Sequence, residues 1–286
     1  MHVMRKWEKC LLKIEIKETK IKLMNKKLII FDMDGTIYLG KDLFDGAVET
    51  FEYLRKKNID FVFFTNNSSN DLEFYHQKMM NFGIDCDLKK NFYSSTEVTI
   101  AHLLNLGVKT IYAIGNKCLK NKLEKHFQLV DEYKKEQKID AVVAGFSTEL
   151  TYKELMDGCL YLQTQDCLFI ATNGDWRCPI EDGLYIPDCG GMCEWIYRCT
   201  GKRATVMGKP NPEIITYLAD QFHVSLDEVL AVGDRLYTDI QVAVNAGVDS
   251  VAVLSGESSL EDINAYESKP TYILKSIKDL PELLEK

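Results

Sequence analysis

Short apolar runs alternate along this chain with segments whose apolar positions recur at helical spacing. Apolar runs of this kind, bounded by small or polar residues, are typical of strands that are buried on both faces of a parallel sheet. We therefore predict strands at 27–32, 61–64, 92–93, 109–114, 141–144, 168–171, 204–207, 228–232, 250–254 and 272–274.

The segments between these runs carry helix signals. Ala47, Val48, Phe51 and Leu54 follow helical spacing after Gly46. Ser94 precedes a glutamate by three positions, which is the pattern of a capping box. Further helices are predicted at 70–82, 97–106, 117–126, 151–163, 191–200, 240–246 and 276–285. Regular strand–helix alternation predicts an α/β fold built on parallel sheets.

The alternation falls into two units and a leading segment. We expect residues 25–98 and 204–286 to form one domain, and residues 99–203 to form a second, smaller α/β unit inserted into it. Residues 1–24 precede the first clear strand and are interpreted as an extension. An added strand is the alternative, because polar and apolar residues alternate at 13–17. The stretch 172–191 is predicted to be an irregular loop that contacts substrate, although such loops are often only connections.

The first strand ends in two carboxylates, Asp32 and Asp34, followed by Gly35 and Thr36. Alternate positions of an extended chain point to the same side, so both carboxylates can face one site. Two ionised carboxylates repel unless a cation neutralises them or one keeps its proton. Either arrangement suits phosphate chemistry, with one carboxylate as nucleophile and the other as acid and base. The ordinary alternative is a turn that carries two solvated acids.

Other predicted strands also end in polar residues. If these strands share one parallel sheet, their polar ends converge at one edge, where open α/β sheets bind ligands. The residues are Thr65 and Asn66 after the second strand, Lys209 after the strand at 204–207, and Asp234 and Asp239 after the strand at 228–232. Each has an ordinary alternative: a helix cap, a surface lysine, or an acid in the first turn of a helix.

Composition narrows the function further. The 286 residues are 46% hydrophobic, enough for a sizeable core, and carry a formal net charge of −8, which argues against non-specific nucleic-acid binding. No apolar run reaches the roughly 20 residues of a membrane helix, and the first residues do not resemble a signal peptide. We therefore expect a cytoplasmic protein with reduced thiols. The close pair Cys189 and Cys193 matches no common zinc pattern.

The stretch from Phe31 to Thr36 resembles the first motif of the haloacid dehalogenase (HAD) superfamily, and the later polar strand ends resemble its remaining motifs in order. The resemblance implies a Rossmann-like parallel-sheet core. It also implies that Asp32 is the nucleophile that forms an aspartyl-phosphate. Asp34 would then protonate the leaving alcohol and deprotonate the attacking water.

The remaining roles also follow from the resemblance. Thr65 and Lys209 would bind the transferring phosphoryl group, with Asn66 beside them. Asp234 would ligate Mg²⁺ together with Asp32 and the main-chain carbonyl of Asp34. Asp239 would support this acidic cluster, directly or through other groups. Magnesium suits a site made only of oxygen ligands.

The position of the insertion resembles the NagD-like branch (subfamily IIA), whose α/β cap domain lies between the second and third motifs. The cap would exclude water and select small phosphorylated metabolites, such as nucleoside monophosphates or sugar phosphates. Asp175, Trp176 and Arg177 are the candidates for contacts with the leaving group. The resemblance implies a monomer or a homodimer formed through the cap. Gly174 and the stretch 187–190 depart from the pattern of the branch, and both lie in or near the loop that is predicted to contact substrate.

The leading hypothesis is therefore a magnesium-dependent phosphomonoester hydrolase. A phosphomutase would use the same aspartyl-phosphate but return the phosphoryl group to the substrate. A receiver-like signalling module also has an acidic cluster, a threonine and a Lys-Pro pair, but it is shorter and has its phosphate-accepting aspartate on a middle strand. A catalytically silent binding protein on the same fold is the third alternative. No expected polar position is missing from the sequence, so nothing supports this alternative.

Overall fold

The computed structural model describes residues 25–66, 71–179 and 184–285. The proposed extension at 1–24 and the polar residues at 67–70 lie outside these ranges. The strands in chain order are β1 (Leu28–Phe31), β2 (Tyr38–Leu39), β3 (Asp42–Leu43), β4 (Asp60–Thr65), β5 (Phe92–Ser94), β6 (Thr110–Ile114), β7 (Gln128–Val130), β8 (Ala141–Ala144), β9 (Leu168–Ala171), β10 (Arg177–Pro179), β11 (Tyr185–Pro187), β12 (Thr205–Val206), β13 (Val229–Gly233), β14 (Asp249–Val253) and β15 (Tyr272–Leu274).

The α-helices lie mainly between the strands, as the alternation predicts. In chain order they are α1 (Ala47–Lys56), α2 (Leu72–Asn81), α3 (Leu88–Asn91), α4 (Ser95–Asn105), α5 (Lys117–Glu124), α6 (Tyr152–Thr164), α7 (Cys189–Thr200), α8 (Glu213–Phe222), α9 (Gln241–Ala246), α10 (Leu260–Ala265) and α11 (Leu280–Leu284). The capping box predicted at Ser94 is confirmed at the start of α4. Among the described residues, no helix is both long enough and apolar enough to cross a membrane.

A six-stranded parallel sheet has β1 near its centre. Its strand order is β15-β14-β13-β1-β4-β5. Leu28 at the start of β1 pairs with Val229 on one side and with Asp60 on the other. All four residues of β1 are buried, which agrees with the continuous apolar run in the sequence. Because β4, β1 and β13 are parallel neighbours, their carboxyl ends meet at the same edge of the sheet.

Aromatic rings fill the space between this sheet and α1. The Phe51 ring of α1 lies 5.1 Å from the Phe31 ring, 4.9 Å from the Phe61 ring and 5.2 Å from the Phe63 ring, measured between centroids. All four side chains are buried. Inclined ring pairs at this separation stabilise a core beyond the area that they bury. This cluster supports β1 and β4, the two strands whose ends carry Asp32 and Thr65.

A second, five-stranded parallel sheet has the order β12-β9-β8-β6-β7. Together, the two sheets confirm the predicted α/β core with a smaller inserted α/β unit. One expectation was wrong: the strand at 204–207 does not join the first sheet. Thr205 instead pairs with Ile170 of β9 in the second sheet. A short apolar run does not encode which sheet it enters, and here β9 offers it a free edge.

The domain boundary proposed at residues 98/99 falls within α4, and the boundary at 203/204 precedes β12, so both positions stay proposals. The stretch 172–191, predicted to be irregular, contains the antiparallel hairpin β10–β11 and the start of α7. A second hairpin, β2–β3, was not predicted and follows the Asp34 turn directly.

Candidate active site

The end of β1 places Asp32 and Asp34 at the edge of the first sheet. The backbone N–H of Asp32 donates to Val232 O at 2.9 Å and so continues the pairing with β13. Gly35 follows with a φ of 91°, in the left-handed region that favours glycine. A Cβ at Gly35 would also lie 2.4 Å from Asp234 Oδ2. This glycine therefore lets the turn approach the carboxylate that follows β13.

Asp234 and Asp239 come from the end of β13 and the single π-helical turn Leu236–Ile240. Thr36 Oγ1 donates to Asp234 Oδ1 at 3.3 Å, and the Glu257 N–H donates to Asp234 Oδ2 at 2.7 Å. Both aspartates are buried. Ligand oxygens of Asp32, Asp234 and Asp239 all lie within 4.8 Å of one another. The sequence predicted this convergence, and the geometry brings the three carboxylates together.

Lys209 is the cation of this cluster. Its side chain is buried, and Nζ lies 2.5 Å from Asp32 Oδ1 and 2.7 Å from Asp239 Oδ1. Burial acts to lower the pKa of Lys209, but the two carboxylates outweigh it and hold the pKa above its usual value. The lysine is therefore a fixed positive charge. It reaches the site because the chain crosses from β12 to the edge of the first sheet at Gly208, where a Cβ would lie 2.7 Å from Asn66 Oδ1.

Burial and mutual repulsion raise the pKa values of two of the carboxylates, Asp32 and Asp234. Burial raises the pKa of Asp32 to about 6, against the lowering effect of Lys209. Burial, with the nearby charges of Asp32 and Asp239, raises the pKa of Asp234 to about 8. Lys209 lowers the pKa of Asp32 and Arg235 lowers both values, but these cations do not offset burial and the mutual repulsion of the carboxylates. A bound cation would relieve this repulsion.

The donor set fits a hard divalent cation. All the candidate ligand atoms are oxygens, as Mg²⁺ prefers. Glycine lines the site closely: a Cβ at Gly256 would lie 2.0 Å from Asp234 Oδ2. In addition, Thr238 Oγ1 is buried and has no hydrogen-bond partner among the described residues. A polar atom in that state is suited to a ligand or to an ordered water.

Asn66 follows β4 and forms a network that the sequence did not predict. Its Oδ1 accepts from the Lys209 N–H at 2.8 Å, and its Nδ2 donates to Lys209 O at 3.1 Å. The same Nδ2 donates to Asp175 Oδ2 at 3.0 Å. Asn173 Nδ2 in turn donates to Asp175 Oδ2 and to Asp188 Oδ1, both at 3.0 Å. The Asn66 side chain thus holds the Lys209 backbone and links it to the segment that follows β9.

A cavity of about 220 Å³ borders this cluster, and its lining includes neither Asp234 nor Asp239. Among the predicted site residues, the cavity is lined by Asp32, Asp34, Thr65, Asn66, Asp175, Arg177 and Lys209. Trp176 does not line it and is 65% exposed. Sequence reasoning missed several lining residues, among them Tyr38, Lys78, Asp188, Arg235 and Thr238. The position of Arg235 directly after Asp234 was a signal that could have identified it.

Comparisons with known proteins agree with this architecture. Residues 29–127 match a family model described as haloacid dehalogenase-like hydrolase, and residues 206–280 match a model described as HAD-hydrolase-like. An acid sugar phosphatase of Staphylococcus haemolyticus is 30% identical over 264 residues, which cover 92% of this chain and 98% of that protein. Chronophin of Mus musculus is 28% identical over 271 residues, covering 90% and 92% of the two chains.

Solved structures give the same result. The crystal structure of a 4-nitrophenylphosphatase from Thermotoga maritima has a TM-score of 0.84 and 37% identity, and covers 91% of this chain and 98% of its own. NagD from E. coli K-12 has a TM-score of 0.81 and 28% identity, with coverage of 89% and 98%. The chain therefore belongs to the haloacid dehalogenase superfamily, as a phosphatase of its NagD-like branch.

Proposed function

We propose that this phosphatase is a magnesium-dependent phosphomonoester hydrolase that acts on small phosphorylated metabolites, such as nucleoside monophosphates or sugar phosphates, through an aspartyl-phosphate at Asp32. The observation that carries the proposal is the position of Lys209. Its ammonium group bridges Asp32, which lines the cavity, and Asp239, and ligand oxygens of both carboxylates lie within 4.8 Å of one of Asp234. A nucleophile, a fixed cation and an all-oxygen donor set thus occupy one site.

In the proposed mechanism, Asp32 attacks the phosphorus atom and the bond to the leaving oxygen breaks. Lys209 holds Asp32 in position and balances negative charge on the phosphoryl oxygens. Asp34, which is exposed to the cavity, gives a proton to the leaving oxygen and then removes one from the water that hydrolyses the aspartyl-phosphate. Thr65 lines the same cavity and would donate to the phosphoryl group.

The metal would be held by Asp32, Asp234 and the main-chain carbonyl of Asp34, with Asp239 beside them. A bound Mg²⁺ supplies positive charge that neutralises the carboxylates and the substrate phosphate. The names of the similar proteins support the substrate class at a coarse level, because they include an acid sugar phosphatase and a 4-nitrophenylphosphatase. Arg177 and Asp175 also line the cavity, and in this proposal they contact the leaving group.

The test is the release of inorganic phosphate from a panel of phosphomonoesters, with magnesium and with chelator. The panel contains nucleoside monophosphates, sugar phosphates and 4-nitrophenyl phosphate. Asp32→Asn should abolish turnover. Asp157→Asn is the matched control, because Asp157 is also buried beside a lysine but lies in α6, away from the cavity. Retained turnover in Asp32→Asn would contradict the mechanism. Transfer between substrates without net release would favour a mutase.

A further inference from the structure

Lys78 and Arg177, two cations of the cavity, take no part in the bond-making and bond-breaking steps of the proposed mechanism. The positive side chains that line the cavity are Lys78, Arg177, Lys209 and Arg235. Lys209 is paired with Asp32 and Asp239, and Arg235 Nε lies 3.0 Å from Glu257 Oε2. Lys78 and Arg177 have no carboxylate within 4.0 Å among the residues that the structure describes. Their charges are therefore available to a ligand.

Aromatic rings hold both of these cations in place. Lys78 Nζ lies 3.5 Å from the centroid of the Tyr38 ring, and Arg177 Cζ lies 4.0 Å from the centroid of the Tyr185 ring. An aromatic face attracts and orients a cation but leaves its hydrogen-bond donors free for another partner. Lys78 is also partly buried, and this burial lowers its pKa. A desolvated cation without a carboxylate gains the most when an anion binds beside it.

The position of Lys78 relates it to the leaving group. Asp34 lies close enough to act electrostatically on Lys78. The backbone of Asp34 also forms a β-bridge with Tyr38, whose ring contacts Lys78 Nζ. Asp34 is the residue that would protonate the leaving oxygen, whereas Lys209 lies on the side of the phosphoryl group. Arg177 reaches the cavity from β10, two residues after Asp175. Lys78 belongs to α2 in the first unit, so the two cations face the cavity from opposite units.

We propose that Lys78 and Arg177 form a second anion subsite, which selects phosphomonoesters whose leaving group itself carries a carboxylate or a second phosphate. This inference rests on the proposed function and narrows its substrate class. The phosphoryl end binds between Asp32 and Lys209, and the second anion of the same small molecule binds to the ring-supported cations. Phosphate esters of uncharged alcohols leave both cations without an anionic partner.

A pair of nearly isosteric esters tests the subsite. 4-Carboxyphenyl phosphate and 4-carbamoylphenyl phosphate have the same shape and differ in one negative charge. We expect the wild type to favour the acid by about tenfold in kcat/KM, because a hydrogen bond to a charged group contributes about that factor or more. Lys78→Gln and Arg177→Gln should each lower this ratio by about fivefold to tenfold. Lys78→Arg should restore it, because the charge remains.

The controls are two cations that also stack on tyrosine rings but do not line the cavity. Lys57 Nζ lies 5.5 Å from the Tyr53 ring centroid, and Arg203 Cζ lies 3.7 Å from the Tyr197 ring centroid. Lys57→Gln and Arg203→Gln should leave the acid-to-amide ratio unchanged. Because each variant is compared as a ratio between two esters, a general loss of activity or of folded protein cancels.

Binding separates a failure of the subsite from a failure of the proposed function. Calorimetry with Asp32→Asn measures the Kd of each ester without turnover, and the acid should bind about tenfold more tightly unless Lys78 is also replaced by Gln. If the wild type hydrolyses both esters equally well, the subsite is wrong and the hydrolase stands. If neither ester is hydrolysed but the binding preference depends on Lys78, the subsite stands and the hydrolase is wrong. If neither property is observed, both fail.

Discussion

Replacing Asn66 with alanine tests whether a hydrogen-bonding side chain, rather than a direct substrate contact, positions the catalytic lysine. The change removes the two bonds to the Lys209 backbone and the bond to Asp175. At a net contribution of about 1 kcal/mol each, the three bonds predict a loss of about 3 kcal/mol in the free energy of unfolding. A domain of ordinary stability tolerates this loss and stays folded.

The effect on the rate should be larger than the loss of stability explains. Without the Asn66 side chain, the backbone of Lys209 and the carboxylate of Asp175 each lose a hydrogen-bond partner. A displacement of about 1 Å at a charge-stabilising group costs on the order of 100-fold in kcat. Steady-state phosphate release from 4-nitrophenyl phosphate would measure kcat, and urea denaturation followed by circular dichroism would measure stability.

Asn91 provides the matched control for this prediction. It is also buried, its Nδ2 donates to Phe61 O at 2.7 Å, and its Oδ1 accepts from the Asp87 N–H at 2.7 Å. It does not line the cavity. Asn91→Ala should therefore lose about 2 kcal/mol of stability with kcat unchanged. If Asn66→Ala keeps kcat within twofold of the wild type, or if Asn91→Ala lowers kcat equally, the positioning role of Asn66 is refuted.

Three further substitutions test other parts of the structure. Lys209→Ala should cost about 2–4 kcal/mol of transition-state stabilisation, measured through kcat/KM. The control Lys26→Ala removes another buried lysine, paired with Asp249 far from the cavity, and should affect stability alone. Burial raises the pKa of Asp188 to about 6, so its contribution favours the folded state at low pH and is lost as the pH rises through about 6. In denaturation curves, the free energy of unfolding of Asp188→Asn relative to that of the wild type should therefore rise by up to about 2 kcal/mol between about pH 4 and pH 7. An equal difference at both pH values would argue against the raised pKa of Asp188. Phe51→Ala should lose about 3–5 kcal/mol of unfolding free energy by the same method, whereas Leu106→Ala, at an exposed position, should lose less than about 1 kcal/mol.

The parts of the site that the sequence predicted are those that depend only on strand ends. Asp32, Asp234 and Thr65 each follow a buried strand, and parallel neighbours bring such ends together by geometry. Lys209 was predicted for the wrong reason, since its strand enters the second sheet. The residue lies in the site because the chain turns back to the first sheet within a few residues.

The parts that the sequence did not predict depend on contacts between distant segments. Nothing in the polar stretch after β9 indicates that Asn173 bonds to both Asp175 and Asp188. Lys78 is one lysine in an ordinary helix, and only the packing of Tyr38 beneath it identifies it as a cavity residue. Trp176 illustrates the converse: its place between two cavity residues suggests a contact, but its side chain is 65% exposed and does not line the cavity.

The route of the chain through β12 has a consequence for domain exchange between relatives. Thr205 and Val206 belong to the inserted sheet, whereas Lys209, three residues later, belongs to the chemistry of the first. A chimera joined at 203/204 would separate β12 from the sheet of its own protein and offer β9 a foreign edge strand. A junction at Gly208 would keep that pairing native and leave the lysine with its own aspartates. The second junction of an exchanged inserted unit therefore belongs at Gly208, and Asn66, which bonds to the backbone of Lys209, must come from the same protein as the lysine.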